Sequence, residues 1–343
     1  MNYDSKAENR QEINQEVSDL AQAEPKTKKI LITGGLGYVG GRLAAYLRQF
    51  PHYKLRLLVR RIPTELQDWV EGLEIWQGDL TQPETLQGVG DNIDGVVHLA
   101  ALDAPTCTTH PTEALRVNVE GTLNLLEALQ GEIEHFLYYS TFHVYGRNAQ
   151  GRVTEDTPLA PIHPYAATHA MAELYAGMYA RRQGFGASII RSANSFGAPL
   201  YTGANCWTIV FNDLCYQAVT QQRLQLKSAG LQVRNFIPLP ESLRVVELLL
   251  RTNLQSVEVY NLGGEQSYSI LEAAELVQKV YFEDFGQMLP IERPEPQKGE
   301  QRGVLDYRCD RLKALGFQQQ MSLSENIRQT LQFCQEHFIA DQI

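Results

Sequence analysis

The chain has 343 residues, of which 43% are hydrophobic and 20% are charged, and its formal net charge is −10. This length is enough for one large domain or for two domains that share a core. The negative charge argues against a nucleic-acid partner, because phosphate contacts need a basic surface. No apolar run approaches the roughly 18 residues that a membrane span needs, so no membrane partner is expected.

The cysteines are scattered, and none of them belongs to a Cys-x-x-Cys pair: Cys107, Cys206, Cys215, Cys309 and Cys334. Their odd number and their spacing indicate neither a disulfide framework nor a zinc site. The start of the chain lacks the apolar segment and cleavage site of a secretory signal. We therefore expect reduced thiols, no bound metal ion and a cytoplasmic location.

Residues 1–28 are polar and carry too little apolar mass to form a core, so a flexible tail is expected there. Order is predicted to begin at Lys29, because the apolar run from Ile30 to Ile32 is typical of a strand buried on both faces. A helix with apolar spacing follows at 40–50. Strands and helices then alternate, with strands at 54–59, 73–77, 95–99, 136–140 and 188–191 and helices at 115–129 and 164–183.

This alternation predicts an α/β fold, a doubly wound parallel sheet of the Rossmann type. We place the dinucleotide-binding domain at residues 29–195. The pattern loosens after Asn194, which indicates a smaller α/β lobe at 196–343 that faces the substrate. A strand predicted at 257–261 returns to the main sheet, so this lobe is expected to interleave with that sheet around residues 235–265.

The turn after the first strand carries a glycine-rich segment, in which Gly35, Gly37 and Gly40 have the G-x-G-x-x-G spacing. Glycine permits the tight turn and lets a pyrophosphate approach the backbone. The N-terminus of the following helix offers free N–H groups to that anion. The predicted cofactor contacts of this turn are Gly34, Gly35, Leu36, Gly37, Tyr38, Val39 and Gly40.

The end of the second strand carries Arg60 and Arg61, where an NAD enzyme usually has an acid for the ribose. A guanidinium suits a 2′-phosphate, so we predict NADP, with NAD as the alternative if both arginines are solvated surface charges. Asp79, followed by Leu80, ends the third strand. Its carboxylate is expected near the adenine edge or as the cap of the next helix.

Two later segments carry a resemblance to a known family. Residues 139–146, Tyr-Ser-Thr-Phe-His-Val-Tyr-Gly, and the segment that begins at Pro164 and Tyr165 resemble the extended short-chain dehydrogenases/reductases. Segments further along resemble the nucleotide-sugar epimerase and dehydratase branch. The resemblance implies an NAD(P)-dependent enzyme for a nucleotide-linked sugar. It also implies cofactor contacts at Leu99, Ala100, Ala101 and Asn118.

The resemblance gives Tyr165 the role of acid/base and Thr141 that of polarising the substrate oxygen. In the family a lysine one helical turn further on lowers the tyrosine pKa and holds the nicotinamide ribose, but this chain has His169 there. Three alternatives stay open. A protonated His169 replaces the lysine, or His169 or His143 acts as a base in different proton chemistry, or the scaffold binds cofactor with little turnover.

The loop after Thr141 also departs from part of the family. The 4,6-dehydratases have an acidic pair there, whereas this chain has Phe142 and His143. Without a carboxylate the elimination lacks its usual acid/base, so 4,6-dehydration is disfavoured, and keto-reduction or epimerisation through a keto intermediate is favoured. The alternatives are a carbonyl reductase for another small metabolite and a non-catalytic regulator that binds cofactor.

Asn194 and Arg234 match family positions that contact the substrate diphosphate, and Arg302 is a candidate for a second phosphate ligand. Arg234 is the strongest of them, because a guanidinium pairs bidentately with phosphate; the alternative is a surface salt bridge. The resemblance also implies a homodimer in which the helices at 115–129 and 165–183 pack against their copies. Apolar side chains for that seam are Leu123, Leu126, Met171, Leu174 and Met178.

Overall fold

A computed structural model describes residues 26–129, 133–252 and 254–339. Its centre is a seven-stranded parallel sheet with the strand order β11-β7-β5-β4-β1-β2-β3. This order confirms the predicted doubly wound α/β fold. The strands are β1 Lys28–Thr33, β2 Tyr53–Val59, β3 Glu74–Gln77, β4 Gly95–His98, β5 His135–Thr141, β6 Gly151–Val153, β7 Gly186–Ser192, β8 Asn194–Phe196, β9 Leu224–Gln225, β10 Val233–Pro238, β11 Val257–Leu262, β12 Ser267–Ser269, β13 Ile291–Glu292 and β14 Leu305–Tyr307.

Helices cover both faces of the sheet and build the C-terminal lobe. The segment predicted as one helix at 115–129 begins with a π-helix, Leu115–Glu120, that contains Asn118. The α-helices are α1 Tyr38–Leu47, α2 Ala104–Thr109, α3 Pro111–Ala114, α4 Gly121–Ala128, α5 Pro164–Gln183, α6 Val210–Gln221, α7 Leu239–Arg251, α8 Ile270–Phe285, α9 Asp310–Ala314 and α10 Leu323–Phe338.

The central strand β1 shows why the chain forms a sheet covered on both faces. Ile30 and Ile32 belong to the core under α1 and α7, whereas Leu31 belongs to the core under α4 and α5. Alternate side chains of a strand point to opposite faces, so a continuous apolar run is stable only between two layers of helices. Because β1, β4 and β5 pair in parallel, their carboxyl ends lie at the same edge of the sheet, and the loops that follow them meet there.

The C-terminal lobe has its own apolar core between α6, α8 and α10, around Phe196, Phe211 and Phe236. A three-stranded sheet, β12-β10-β8, lies between this core and the main sheet. Strand β11 leaves the lobe and pairs in parallel with β7, with Tyr260 opposite Ile190. The strand predicted at 257–261 is therefore the edge strand of the main sheet, and it connects the lobe to that sheet.

A buried ion pair joins helix α5 to strand β7. Glu173 and Arg191 contact each other through both carboxylate oxygens, with an Nη2–Oε2 distance of 2.8 Å. Glu173 also accepts a 2.5 Å hydrogen bond from Ser140 on β5, and Arg191 donates to Tyr145 at 3.1 Å. Because the two charges neutralise each other away from solvent, the pair fixes α5, and with it Tyr165, relative to the sheet.

The described residues contain no helix long and apolar enough to cross a membrane. The five cysteines are all buried and unpaired. No group of three or more His, Cys, Asp or Glu side chains within 26–129, 133–252 and 254–339 is placed to hold a metal ion. The polar tail predicted at 1–28 lies outside the described residues as far as residue 25.

We predict that Glu173→Gln lowers the free energy of unfolding by about 3–5 kcal/mol, because it leaves the Arg191 guanidinium buried without a counter-charge. The measurement is urea denaturation at pH 7. The matched control is Glu272→Gln, which breaks the exposed pair with Arg302 and should cost less than about 1 kcal/mol. Equal losses in the two variants would contradict the assigned role of the buried pair.

Candidate active site

The glycine turn between β1 and α1 has the backbone geometry that an anion cradle needs. Gly34 has a φ of +65°, in the left-handed region, and its carbonyl accepts a 2.8 Å hydrogen bond from the Gly37 N–H. A Cβ on Gly40 would lie 2.1 Å from the Gly34 oxygen, so this position admits no side chain. Gly37 is exposed at the start of α1, where the N–H groups of the first turn are free.

This geometry fits the pyrophosphate of a dinucleotide. The backbone of the turn approaches closely only because its glycines lack side chains, and the first turn of α1 supplies N–H donors and the positive end of the helix dipole. Leu36 is buried beneath the turn, while Tyr38 donates a 3.0 Å hydrogen bond to the Gly197 carbonyl. Tyr38 thereby links the turn to the segment after β8, which sequence reasoning did not connect with this site.

A directed chain of hydrogen bonds crosses the sheet edge beside this turn. The Thr33 hydroxyl accepts from the backbone N–H groups of Leu99 and Ala100, both at 3.1 Å, so its own hydrogen goes to His98 Nδ1 at 2.6 Å. His98 Nε2 then donates to Thr122 at 2.9 Å, and Thr122 donates to the Asn118 carbonyl at 2.6 Å. Burial lowers the pKa of His98 to about 3, which agrees with a neutral ring.

This chain fixes the loop that holds Leu99, Ala100 and Ala101. Leu99 and Ala100 are partly exposed and Ala101 is exposed, so the loop is open to a ligand as predicted for cofactor contacts. A Cβ on Gly34 would lie 3.1 Å from Ala100, so the loop and the glycine turn are in contact. Both lie at the switch point between β1 and β4, where doubly wound sheets bind dinucleotides.

Asn118 is placed differently from the expectation. Its side chain is buried, accepts a 2.8 Å hydrogen bond from the Leu102 N–H and donates a 3.0 Å hydrogen bond to Thr168. Both ends of the amide are therefore used within the protein, and Asn118 braces the loop after β4 against helix α5. The π-helix turns it inward, and such local widening of a helix is frequent at functional sites.

The residues expected around the adenosine lie at the other end of the glycine turn. Arg60 and Arg61 follow β2 and are both exposed. Near Tyr201, Glu65 raises the pKa of the tyrosine and Arg61 lowers it. A carboxylate therefore lies in the same region as Arg61. Asp79 accepts from the backbone N–H and the hydroxyl of Thr81, at 2.9 and 2.8 Å, and so closes the turn after β3. The next helical segment, Pro83–Leu86, begins after Gln82 without a side-chain cap, so the expectation that Asp79 caps it is wrong; Leu80 is buried under α4.

Tyr165 lies at the start of α5, beside the end of β5. Burial raises the pKa of its hydroxyl to about 12, while the nearby Thr141 side chain acts in the opposite direction. The structure therefore brings together the two side chains that were predicted to contact the substrate oxygen. A phenol with a raised pKa keeps its proton at pH 7, so Tyr165 in the free protein is a proton donor.

His169 lies one turn further along α5 and is buried, with its ring centroid 4.5 Å from that of Tyr165. Burial, together with His98 and His143, lowers the pKa of His169 to about 3. The imidazole is therefore neutral at pH 7. Burial therefore disfavours the first alternative, in which a protonated His169 replaces the charge of the lysine, because a charged ring would be desolvated with no carboxylate of the described residues acting on it.

A second pair of histidines lies on the open side of Tyr165. The rings of His143 and His163 are 5.2 Å apart, and His143 lies 6.0 Å from the Tyr165 ring. Burial, His163 and Arg234 lower the pKa of His143 to about 4, so this ring is also neutral and can accept a proton. Sequence reasoning missed His163, although its position just before Pro164 marks it as the N-cap of α5.

The substrate residues meet on β8 and β10, which pair in parallel. Arg234 is half-buried, and burial lowers its pKa. Its guanidinium donates to the Val233 carbonyl at 3.1 Å, and no described carboxylate forms an ion pair with it. The alternative of a surface salt bridge is thus not supported. Asn194 donates to the Asn235 carbonyl at 2.9 Å, so its amide is already used in holding the two strands together.

Arg302 is exposed and pairs with a carboxylate of α8, and its role as a phosphate ligand stays a prediction. Its guanidinium contacts both carboxylate oxygens of Glu272, at 3.1 and 2.9 Å. Glu272 belongs to the capping box at the start of α8, so its position is fixed by the helix. Asn235, which stands where the family often has an acid, is buried and bridges to Gly264 and Ser267. It therefore supports the turn between β11 and β12.

Comparison with known proteins identifies the family. Residues 30–263 match the NAD dependent epimerase/dehydratase family, and the chain belongs to it. A relative from Haloferax volcanii, the low-salt glycan biosynthesis protein Agl12, is 28% identical over 91% of this chain and 99% of its own length. The dTDP-D-glucose 4,6-dehydratase of Bos taurus is 25% identical over 93% of this chain and 92% of its own length.

Solved structures share the fold. UDP-glucose 4-epimerase from Thermotoga maritima, solved with UDP-glucose, has a TM-score of 0.76 and 20% identity over 90% of this chain and 99% of its own. RMD from Pseudomonas aeruginosa, complexed with NADPH, has a TM-score of 0.73 and 26% identity over the same shares, 90% and 99%. The Rossmann architecture and the nicotinamide-dependent family predicted from the sequence are confirmed.

We predict that Gly40→Ala abolishes dinucleotide binding or folding of the turn, because its Cβ would overlap the Gly34 oxygen. The neighbouring Gly41→Ala is the matched control. There a Cβ would meet only the flexible Leu200 side chain, at 3.1 Å. Isothermal titration with NAD and NADP measures both variants. Binding by Gly40→Ala with unchanged affinity would show that the turn is not the cofactor cradle.

Proposed function

We propose that the chain is an NAD(P)-dependent enzyme that reduces or epimerises a nucleotide-linked sugar through a keto intermediate. One arrangement carries this proposal. Tyr165 and Thr141 lie close together at the carboxyl edge of the sheet, and Arg234 lies on the lobe side as a half-buried cation without an ion-pair partner among the described residues. A hydroxyl pair for a sugar oxygen and a guanidinium for a diphosphate are the recognition groups that such a substrate needs.

In the proposed mechanism the cofactor supplies or accepts the hydride. Tyr165 donates its proton to the sugar oxygen during reduction and takes it back during oxidation, while Thr141 holds the same oxygen. The raised pKa of Tyr165 favours the protonated phenol in the free chain, which suits the reducing direction. His143 is the second acid/base candidate, because its neutral ring lies on the open side of Tyr165.

The 4,6-dehydratase activity stays disfavoured, although a relative carries that name. Phe142 is buried in an apolar cluster with Val144 and Tyr145, so it cannot supply an acid. His143 is neutral and could remove a proton, but it has no carboxylate partner among the described residues to protonate the leaving hydroxyl. A carbonyl reductase for another metabolite would not need the unpaired Arg234, and a non-catalytic regulator would not need the contact between Thr141 and Tyr165.

The test incubates the protein and NAD or NADPH with UDP-, dTDP-, GDP- and CDP-sugars, and follows the products by mass spectrometry and NMR. We predict conversion without net loss of water. Tyr165→Phe should lower kcat/KM by about 10²–10⁴-fold, the range for loss of a general acid. Tyr216→Phe in the C-terminal lobe, where the ring packs on Trp207 and Phe338, is the control with unchanged activity.

Full activity in Tyr165→Phe would rule out the proposed acid/base. Formation of a 4-keto-6-deoxy sugar by the unaltered protein would instead establish the dehydratase. Cofactor binding without turnover of any sugar in the panel would favour the regulator.

We predict that NADP binds more tightly than NAD, by about 10–100-fold, because a guanidinium–phosphate contact is a charge-assisted hydrogen bond. Replacing Arg60 and Arg61 together by Ala should remove this difference. Replacing Arg181 and Arg182 by Ala is the matched control, since that pair is also adjacent and exposed. Equal affinity for the two dinucleotides in the unaltered protein would refute the proposal, and Glu65 would then be the candidate ribose ligand.

We propose that the protein is a homodimer through helix α5. Leu174, Met178 and Met171 are 70%, 46% and 40% exposed, and their spacing places them on one face of the helix. Leu126, in contrast, is fully buried under the sheet and does not belong to this face.

Leu174→Asp should shift the protein to monomer in analytical ultracentrifugation. Val304→Asp, at a side chain of equal exposure, should leave it dimeric. A monomeric unaltered protein at micromolar concentration would contradict the proposal.

A further inference from the structure

Residues 198–206 lie between strand β8 and helix α6 and contain neither helix nor strand; this segment is named the strap. Both of its ends are attached to the C-terminal lobe. Before the strap, the Gly197 N–H donates to the Asn212 side chain at 2.9 Å, and the Asn212 amide donates back to the Gly197 carbonyl at 3.0 Å. After it, the Trp207 ring packs on Tyr216 at a centroid distance of 5.7 Å. The middle of the strap is therefore the part that lies away from these attachments.

The middle of the strap contacts two loops at the carboxyl edge of the main sheet. A Cβ built on Gly203 would lie 3.3 Å from the Glu65 carboxylate, which belongs to the segment after β2. Asn205 donates a hydrogen bond to the carboxylate of Asp103, which belongs to the loop after β4. These partners are far from the strap in sequence, so the contacts are made by the folded chain and bridge the two loops.

The order of the strands places the glycine turn between these two loops. The central strands are in the order β4-β1-β2, and the glycine turn follows β1. A segment that contacts the loops after β4 and after β2 therefore crosses the carboxyl edge in front of that turn. Gly37 is nevertheless exposed at the start of α1, so the strap spans the turn without filling the space in front of it.

The contacts of the strap with the sheet edge can open without unfolding the protein. The Asn205 side chain is exposed, so its hydrogen bond to the loop after β4 is readily exchanged for water. Leu200 is half-buried where it lies against Gly41 of helix α1. Gly203 brings no side chain to its contact with the segment after β2. Segments with few buried apolar contacts are those that open locally in a native protein.

We propose that the strap closes over the bound dinucleotide and that its opening sets the rate of cofactor exchange. The proposal rests on the proposed function, because it needs a dinucleotide at the glycine turn. The pyrophosphate then lies beneath the strap, so the cofactor enters and leaves only when the strap has left the sheet edge. Asn205 and Asp103 act on these rates through the position of the strap and make no contact with the cofactor.

The first test locks the strap onto helix α1 with a disulfide. A Cβ built on Gly41 would lie 3.5 Å from the Leu200 Cβ, and a disulfide joins Cβ atoms about 3.5–4.5 Å apart. In the double variant Gly41→Cys/Leu200→Cys, oxidation of the free protein should slow the binding of NADPH and NADH, and oxidation of the complex should slow their release. Stopped-flow fluorescence should show each rate lowered by more than about tenfold, because binding then needs a forbidden conformational change. Dithiothreitol should restore both rates.

The matched control for the lock is a disulfide in the C-terminal lobe that does not involve the strap. A Cβ built on Gly303 would lie 3.7 Å from the Val233 Cβ, so the geometry is equally suited to a disulfide. Oxidation of Val233→Cys/Gly303→Cys should leave the binding and release of NADPH unchanged. This control separates a locked strap from a general effect of oxidation or of a rigid lobe.

The second test loosens the strap. Asn205→Ala removes the contact with Asp103 at an exposed position, so the fold should be kept. NADPH binding and release should both accelerate by about 3–10-fold, the range for one hydrogen bond. The dissociation constant should stay unchanged, because the strap is passed in both directions, whereas loss of a ligand contact would weaken the affinity. Gln332→Ala, which removes an exposed 2.9 Å hydrogen bond to Glu336 on α10, is the control with unchanged rates.

Either of two results would overturn the proposal. The oxidised lock would exchange NADPH as fast as its reduced form, or Asn205→Ala would leave both rates unchanged. If mass spectrometry shows that the engineered disulfide does not form, the rates of Asn205→Ala decide alone. If the unaltered protein bound neither NADPH nor NADH, the proposed function would fail with the proposal. These outcomes are distinguishable, because the first two leave cofactor binding by the unaltered protein intact.

Discussion

Burial of the carboxyl edge of the parallel sheet determines the chemistry of this protein. It lowers the pKa values of His98, His143 and His169 to about 3, 4 and 3, and it raises that of Tyr165 to about 12. All four groups are therefore uncharged at neutral pH. Transfer of a charge into such a place costs more free energy than a hydrogen bond returns, so neutral donors and acceptors hold the site together.

Two charged features near the site have different environments. The pair of Glu173 and Arg191 is enclosed between α5 and β7 and fixes the helix that carries Tyr165 and His169. Arg234 lies half-buried on the lobe side without a carboxylate partner in the described chain, where an anionic substrate can neutralise it. The rings of Tyr165 and His169 are thus uncharged, whereas a half-buried cation lies on the lobe side.

Much of the fold was predictable from the sequence, because it depends on local patterns. The apolar run at Ile30 to Ile32, the glycine spacing up to Gly40 and the alternation of strands and helices predict a dinucleotide fold, and the strand at 257–261 lies at the edge of the main sheet. The family motif likewise places Tyr165 beside Thr141. These features are set within short stretches of chain, so periodicity and spacing reveal them.

The remainder depends on contacts between residues far apart in sequence. The ion pair of Arg302 with Glu272, which belongs to the capping box of α8, joins residues 30 positions apart and is not visible in the sequence. Asn118 resembles a cofactor ligand until the π-helix turns its amide towards Leu102 and Thr168. The protonation state of His169 was left open because a pKa depends on tertiary burial, which no spacing of residues reports.

The central claim is that burial keeps His169 neutral at the position where the family has a charged lysine. Long-range ¹H–¹⁵N correlation spectra of the protein labelled at histidine measure this directly, with His169→Gln used to assign the signal. We predict a neutral ring throughout the range from about pH 5 to about pH 8, because burial lowers the pKa to about 3. A ring that becomes doubly protonated with a midpoint near 6.5, the ordinary value, would contradict it.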